Sequence, residues 1–136
     1  VYASNDYLRN HDMPKKPQDL QHHKLITYGE ESRLPFLEVN WILNAGIAKG
    51  EERRPAFKIN SLFGMLKAVE SGIGIAALPD YMVRGAKGIA KILPELKGPL
   101  TDVYFIYSIE LRNSKRINVF RDFIVRKLSE DGLSMG

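Results

Sequence analysis

Phe57-Lys58-Ile59-Asn60-Ser61-Leu62-Phe63-Gly64-Met65-Leu66-Lys67-Ala68-Val69-Glu70-Ser71-Gly72-Ile73-Gly74-Ile75-Ala76-Ala77-Leu78-Pro79 reads as a strand, a helix and a second strand with little between them. Phe57 and Ile59 share one face of a short strand, because successive side chains alternate across a sheet. Asn60 or Ser61 then caps a helix, since a side-chain oxygen at that position accepts a hydrogen bond from a first-turn N–H that has no partner inside the helix. Leu62, Met65, Leu66 and Val69 fall at i, i+3, i+4 and i+7 and make one apolar stripe, while Lys67 and Glu70 face water. Gly72 is a natural helix stop. Ile73 to Leu78 is almost wholly apolar, as a strand buried on both faces must be, and Pro79 ends it. The unit is βαβ, and the expected fold class is α/β. In open α/β sheets ligands sit beyond the carboxyl ends of the strands. Asn60, Ser61 and the region after Ala77 are therefore expected at the rim of a pocket.

Outward from this unit, Val1 to Ser4 reads as the end of a strand, and Asn5 caps a short helix through Asp6, Tyr7 and Leu8. Met13-Pro14-Lys15-Lys16-Pro17 is a connector, because each proline removes a donor and restricts the residue before it. Residues 18–23 give one helical turn at most, Leu25 to Tyr28 a short strand, and Gly29 to Pro35 a polar loop. Leu37 to Leu43 alternates as a strand does, although Leu34, Leu37, Trp41 and Ala45 also make a helical stripe. The expectation taken is a strand that turns at Gly46 to Gly50 and returns through Arg54 to Ile59. Asp80 to Val83 is a short helix and Ile89 to Leu93 an edge strand. Val103 to Ile109, β-branched and aromatic, is expected as a buried strand. Asn113 or Ser114 caps a last helix, stopped at Gly132, whose face of Ile117, Phe120, Ile124 and Leu128, with Phe123 beside it, has to be covered by something.

Composition narrows the function classes. A chain of 136 residues, 44% of them hydrophobic, suits one domain or a large part of one. Cysteine is absent, which excludes disulfides and thiolate metal sites. No apolar run is long enough to cross a bilayer and the amino end carries no signal-peptide pattern; the expectation is a soluble, cytoplasmic protein without membrane contact. The chain starts at Val1 rather than Met, inside an expected strand, and is expected to be a fragment of a longer protein. A net charge of +4 and a pI near 9.3 invite a nucleic-acid role. The basic pairs Lys15-Lys16, Arg53-Arg54, Lys115-Arg116 and Arg126-Lys127 are scattered among acidic residues, however, and make no footprint.

Candidate chemistry is sparse. His11, His22 and His23 lack an acidic residue at metal-ligand spacing, and ordinary surface or capping roles are expected. Ser4, Ser32 and Ser61 sit in no nucleophile elbow. Gly72-Ile73-Gly74 follows a helix and precedes a strand, the reverse of the dinucleotide fingerprint. No catalytic residue, cofactor or metal is therefore expected. Asn60 and Ser61, at a strand's carboxyl end and a helix's start, make a polar and partly positive spot suited to a carboxylate. A plain N-cap without any ligand explains the same two residues equally well.

Four segments carry a family resemblance. Tyr2-Ala3-Ser4-Asn5-Asp6-Tyr7-Leu8 resembles an Ala-Ser-x-x-Tyr-Leu segment, and Pro14 to His23 resembles Pro-x-x-Pro-x-Asp-Leu-x-x-His. Residues 68–79 are similar to Ala-x-x-x-Gly-x-Gly-Ile-Ala-x-Leu-Pro, and Phe120-Arg121-Asp122-Phe123-Ile124 resembles a closing helix. In that order they resemble the carboxyl-terminal part of the effector-binding domain of LysR-type transcriptional regulators. Asp12 stands where that family usually has Gly, and Asp tolerates a left-handed turn.

The resemblance implies a two-lobed fold like the type 2 periplasmic binding proteins, represented here mostly by the second lobe. Ser4 to about Asp102 would build that lobe, Val1 to Ala3 and the segment from Val103 would be hinge strands, and the last helix would return into a truncated first lobe. It implies a small-molecule effector gripped between the lobes, with Asn60, Ser61 and Leu62 as second-lobe contacts and Ser4 and Tyr107 near the hinge. It also implies DNA contact through an amino-terminal helix-turn-helix outside this chain, and a homo-oligomer. Two rivals share the scaffold: a solute-binding receptor of a transporter, and an enzyme, which no catalytic constellation supports.

Overall fold

The computed structural model describes residues 1–29, 39–51, 53–100 and 104–130. They fall into two compact units, residues 1–100 and 101–136, each described on its own.

The first unit is a five-stranded mixed sheet. Its strands are β1 (Tyr2–Ser4), β2 (Leu25–Tyr28), β3 (Phe57–Ile59), β4 (Ile75–Ala76) and β5 (Ile89–Lys91), in the spatial order β3-β2-β4-β1-β5. β3 and β4 both run parallel to β2, with Ile26 opposite Phe57 on one side and Ala76 on the other. β1 runs antiparallel to β4 and β5. The expected βαβ unit is present, with β2 inserted between its two strands, and its helix is α2 (Leu62–Glu70). Met65, Leu66, Ala68 and Val69 are buried, and Lys67 turns outward to pair with Glu70 at 2.6 Å. Burying a side chain of that size stabilises by roughly 1.5–3 kcal/mol. Gly72 closes the helix at φ +71°, with its N–H donated to the Val69 carbonyl and that of Ile73 to the Ala68 carbonyl, a left-handed stop that glycine adopts without steric cost.

Alternation sorts the sheet residues onto two faces. Tyr2, Ile26, Ala76 and Leu78 pack with α2, while Val1, Ala3, Leu25 and Ile75 pack with Leu20, Ile42, Leu43 and Ile92 on the other side. Two short helices, α1 (Asn5–Asn10) and α3 (Asp80–Val83), and a 3-10 helix at Pro17–His22 complete the unit.

Three expectations are corrected. The cap of α1 is Ser4 rather than Asn5: Ser4 is extended, at φ −77° and ψ 153°, and its Oγ accepts from the Tyr7 N–H at 3.2 Å. The strand expected over residues 37–43 is not formed in its described part, because Trp41–Leu43 is a 3-10 helix that sinks Ile42 and Leu43 into the core. Residues 57–59 pair with β2 and not with that segment; Leu37 itself, and residues 30–35 of the expected polar loop, lie outside the described residues. The buried strand expected over residues 103–109 is also absent where described. Residues 104–108 are irregular, Tyr104 and Ile106 are 74% and 87% exposed, and Ile109–Leu111 is a 3-10 turn. β-Propensity makes a strand only where a neighbour offers a ladder, and none does among the described residues.

The second unit contains α4 (Lys115–Glu130). None of its described residues is buried, and Val119, Phe120 and Phe123 stay between 46% and 69% exposed on one face. Gly132, expected as its stop, lies outside the described residues.

Tyr7 ties α1 to the sheet. Its hydroxyl accepts from the Lys24 N–H at 3.0 Å and lies 3.3 Å from His23 Nδ1, and its ring stacks on His11 at 4.0 Å. Burial first, then the nearby charges of His11 and His22, hold His23 below its ordinary pKa, with Asp19 and Asp12 opposing. Below about pH 6.5 the unfolded chain binds a proton that folded His23 resists, so stability is lost as pH falls from there and levels below the folded pKa. The urea midpoint is expected to drop between pH 7.5 and pH 5, and His23→Gln to shrink that drop; an unchanged drop would contradict the assignment. From the bare face of α4, the 136-residue chain alone is expected to self-associate in light scattering. A clean, protease-resistant monomer is the contrary result.

Candidate functional site

The carboxyl ends of β2, β3 and β4 lie on one edge of the first unit, since all three run the same way. Asn60 and Ser61 follow β3 there. Ser61 is the N-cap of α2: its Oγ accepts from the Gly64 N–H at 3.2 Å, and its carbonyl takes the Met65 N–H at 2.9 Å. The N–H groups of Leu62 and Phe63 therefore open the helix ahead of its ladder and carry the positive end of its dipole. Leu62 is half-buried against the α2 face of the sheet.

Asn60 is exposed but held. The Tyr28 hydroxyl donates to its carbonyl at 3.0 Å, and its carboxamide lies against Gly29, the residue after β2. A Cβ at Gly29 would fall 1.6 Å from Asn60 Oδ1, so only glycine leaves the carboxamide where it is. Tyr28 is fixed in turn by Asn40, whose Oδ1 accepts from the Tyr28 N–H at 2.9 Å and whose Nδ2 donates to the Tyr28 carbonyl at 3.0 Å. Sequence reasoning named Asn60, Ser61 and Leu62 for this edge and missed Tyr28, Gly29 and Asn40. The Asn40 link spans twelve residues and leaves no local pattern.

The same edge carries a compensated acid. Asp80, at the start of α3, accepts from Lys91 Nζ at 2.8 Å and from the Tyr2 hydroxyl at 2.7 Å. Lys91 first, and Tyr2 second, hold its carboxyl below the usual carboxylate range, while burial and Asp80 push the Tyr2 phenol up. Asp80 thus stays ionised, with its charge answered on the spot.

The remaining named residues lie elsewhere. Because β1 is antiparallel to β4, Ser4 comes at the amino end of β4, at the opposite edge from Asn60. It is 3% exposed and committed to the Tyr7 N–H. Tyr107 belongs to the second unit, half-buried, its ring 5.7 Å from that of Phe105, which lies 5.8 Å from Phe120. His11 takes a capping place, with Nδ1 3.0 Å from the Tyr7 carbonyl, and His22 bonds Gln21 at 2.9 Å. Among the described residues no group of three or more His, Cys, Asp or Glu is placed to hold a metal, and no helix is long and apolar enough to cross a membrane.

This architecture and its sequence have relatives. The family model described as LysR substrate binding domain matches residues 1–129. An uncharacterized HTH-type transcriptional regulator of Haemophilus influenzae is 32% identical over 110 residues, 77% of this chain and 36% of that protein. The HTH-type transcriptional regulator CrgA of Neisseria meningitidis is 26% identical over 135 residues, 96% of this chain and 44% of that protein. The chain thus spans less than half the length of these relatives. Among solved structures, the CrgA regulatory domain superposes with a TM-score of 0.68 at 25% identity, over 93% of this chain and 62% of that one. The AphB regulatory domain of Vibrio vulnificus gives 0.62 at 25% identity, over 93% and 61%.

The cap separates from any ligand role by substitution. Ser61→Ala is expected to cost about 1 kcal/mol of stability and Ser61→Asp to restore most of it, read from urea midpoints. Equal losses in both variants would show that the Oγ hydrogen bond is not what holds the start of α2.

Proposed function

The chain belongs to the LysR substrate binding domain family, of the type 2 periplasmic-binding-protein-like fold, and from that premise we propose that it senses a small-molecule effector for a DNA-binding transcription factor. The observation that carries the proposal is the edge at Asn60 and Ser61. Three parallel strands end there, a helix begins there, and two side chains other than the cap itself, those of Tyr28 and Asn40, fix the main chain around it.

A carboxylate suits this edge. The opening N–H groups of α2 and the Asn60 carboxamide supply donors, and among the described residues the acid on this edge, Asp80, is paired with Lys91. Asn60, Ser61 and Leu62 are the contacts proposed. Ser4, whose hydroxyl also caps α1, and Tyr107 are assigned near the hinge. In this account residues 4–102 form the second lobe, and residues 1–3 and 103–136 are hinge strands and a remnant of the first lobe. The chemistry is binding rather than catalysis.

Effector bound to both lobes favours the closed arrangement only by its differential affinity for it. A homo-oligomer passes that bias to helix-turn-helix heads outside this chain, in the cytoplasm, where the DNA is. The transporter-receptor alternative is not favoured, because the curated relatives are transcriptional regulators.

Screening small carboxylic acids by thermal shift on the natural protein identifies a ligand to follow. Asn60→Ala is then expected to weaken its binding by about tenfold, the worth of one hydrogen bond to a charged group, with affinity for operator DNA in its absence as the control. Parallel loss of effector and DNA affinity would indicate a folding defect and remove the support for a contact at Asn60.

A further inference from the structure

β4 leaves β2 early. The two pair only at Leu25 with Ile75 and at Ile26 with Ala76, whereas β2 runs on to Tyr28. The Lys24 carbonyl accepts from the Ile75 N–H on that side, and alternate residues of a strand point their main-chain groups the same way. The N–H and carbonyl of Tyr28 therefore face the place that β4 no longer fills. Asn40 takes both, donating to one and accepting from the other. Its carboxamide acts as a detached peptide group that lengthens the ladder by one rung.

We infer that Asn40 is a positioning residue of the effector site, one that acts through Tyr28 to aim Asn60 and the first turn of α2. The inference rests on the Asn60–Ser61 edge being that site. Tyr28 is the link: Asn40 holds its main chain, its hydroxyl holds the Asn60 carbonyl at 3.0 Å, and the next residue, Gly29, is the surface on which the Asn60 carboxamide lies.

Asn40 is itself anchored on a built platform. Trp41 sets its indole against Gly98, where a Cβ would come within 2.7–2.8 Å of three ring atoms. Beyond it the buried guanidinium of Arg53 gathers the carbonyls of Ile42, Leu43 and Ala45 at 3.4, 3.3 and 2.7 Å, and that of Pro17 at 3.0 Å. One cation satisfying four carbonyls fixes the path of residues 41–45, and with it the position from which Asn40 reaches β2.

The test is an NMR titration of the natural protein with acetate as the carboxylate probe, followed at the Leu62, Phe63 and Gly64 amides. Wild type, Asn40→Ala, Asn40→Gln, Asn60→Ala and the double alanine variant are compared, together with hydrogen exchange at Tyr28 and at Val69. The expected result is a saturable acetate shift in wild type and an affinity about fivefold lower in Asn40→Ala, close to the loss in Asn60→Ala. The double variant is expected to be no worse than Asn60→Ala, since residues acting through one another are not additive. Tyr28 should exchange about tenfold faster in Asn40→Ala while Val69 is unchanged, and Asn40→Gln, which keeps donor and acceptor, should recover part of both losses. Acetate affinity unchanged by Asn40→Ala but lowered by Asn60→Ala would overturn the inference and leave the site standing. Additive losses, or faster exchange at Val69 as well, would reduce Asn40 to a general structural role. No saturable shift in wild type would remove the site and the inference together.

Discussion

Strands that run the same way cannot be joined by a tight turn, and between β3 and β4 this chain meets that requirement with α2. The helix leaves the carboxyl end of β3, crosses β2 and delivers the chain to the start of β4, and it stays in place because Met65, Leu66 and Val69 bury against Tyr2, Ile26, Ala76 and Leu78. Everything proposed about function depends on that packing. It puts three carboxyl ends on one edge, with the start of a nine-residue helix among them. Were the stripe to slip by one residue, the cap, the strand ends and the Tyr28 hydroxyl would no longer converge.

The unit was legible in the sequence because its signals are local and agree. The hydrophobic period changes from two to 3.6 at Asn60 and back after Gly72, and a cap and a stop stand at the two changes. The rest depends on partners distant in sequence. Ser4 and Asn5 are both good caps, and the extended backbone of Ser4 decides between them. Residues 104–108 have the composition of a strand but no ladder among the described residues. Arg53 reads in the sequence as half of one scattered basic pair, with nothing to mark it as buried, yet it is 9% exposed, because the carbonyls that compensate it lie 8 to 36 residues away. Asn40 fell in a stretch that alternates like a strand, and its contribution is to finish a strand rather than to belong to one.

The candidate site was legible to the same extent. Asn60 and Ser61 follow from the rule that places ligands beyond carboxyl strand ends, and Leu62 joins them through the family resemblance. Ser4 entered through a family resemblance, and the antiparallel course of β1 carries it to the far edge, where its hydroxyl closes a helix. No sequence pattern could have shown that Gly29 lies under the Asn60 carboxamide, since the contact joins two strand ends far apart in the chain. The electrostatics are equally a matter of assembly. Asp80, at the start of α3, opposes an anion on this edge until Lys91 from β5 and Tyr2 from β1 come to answer it.

Whether effector meets this chain at the carboxyl edge of its parallel strands is decided by a crystal structure of the natural protein with its effector bound. Ligand density is expected within hydrogen-bond reach of Asn60 and of the first N–H groups of α2, with the Tyr28 hydroxyl still on the Asn60 carbonyl. Ligand bound elsewhere on the chain, with no density near Asn60 or the start of α2, is the contrary result.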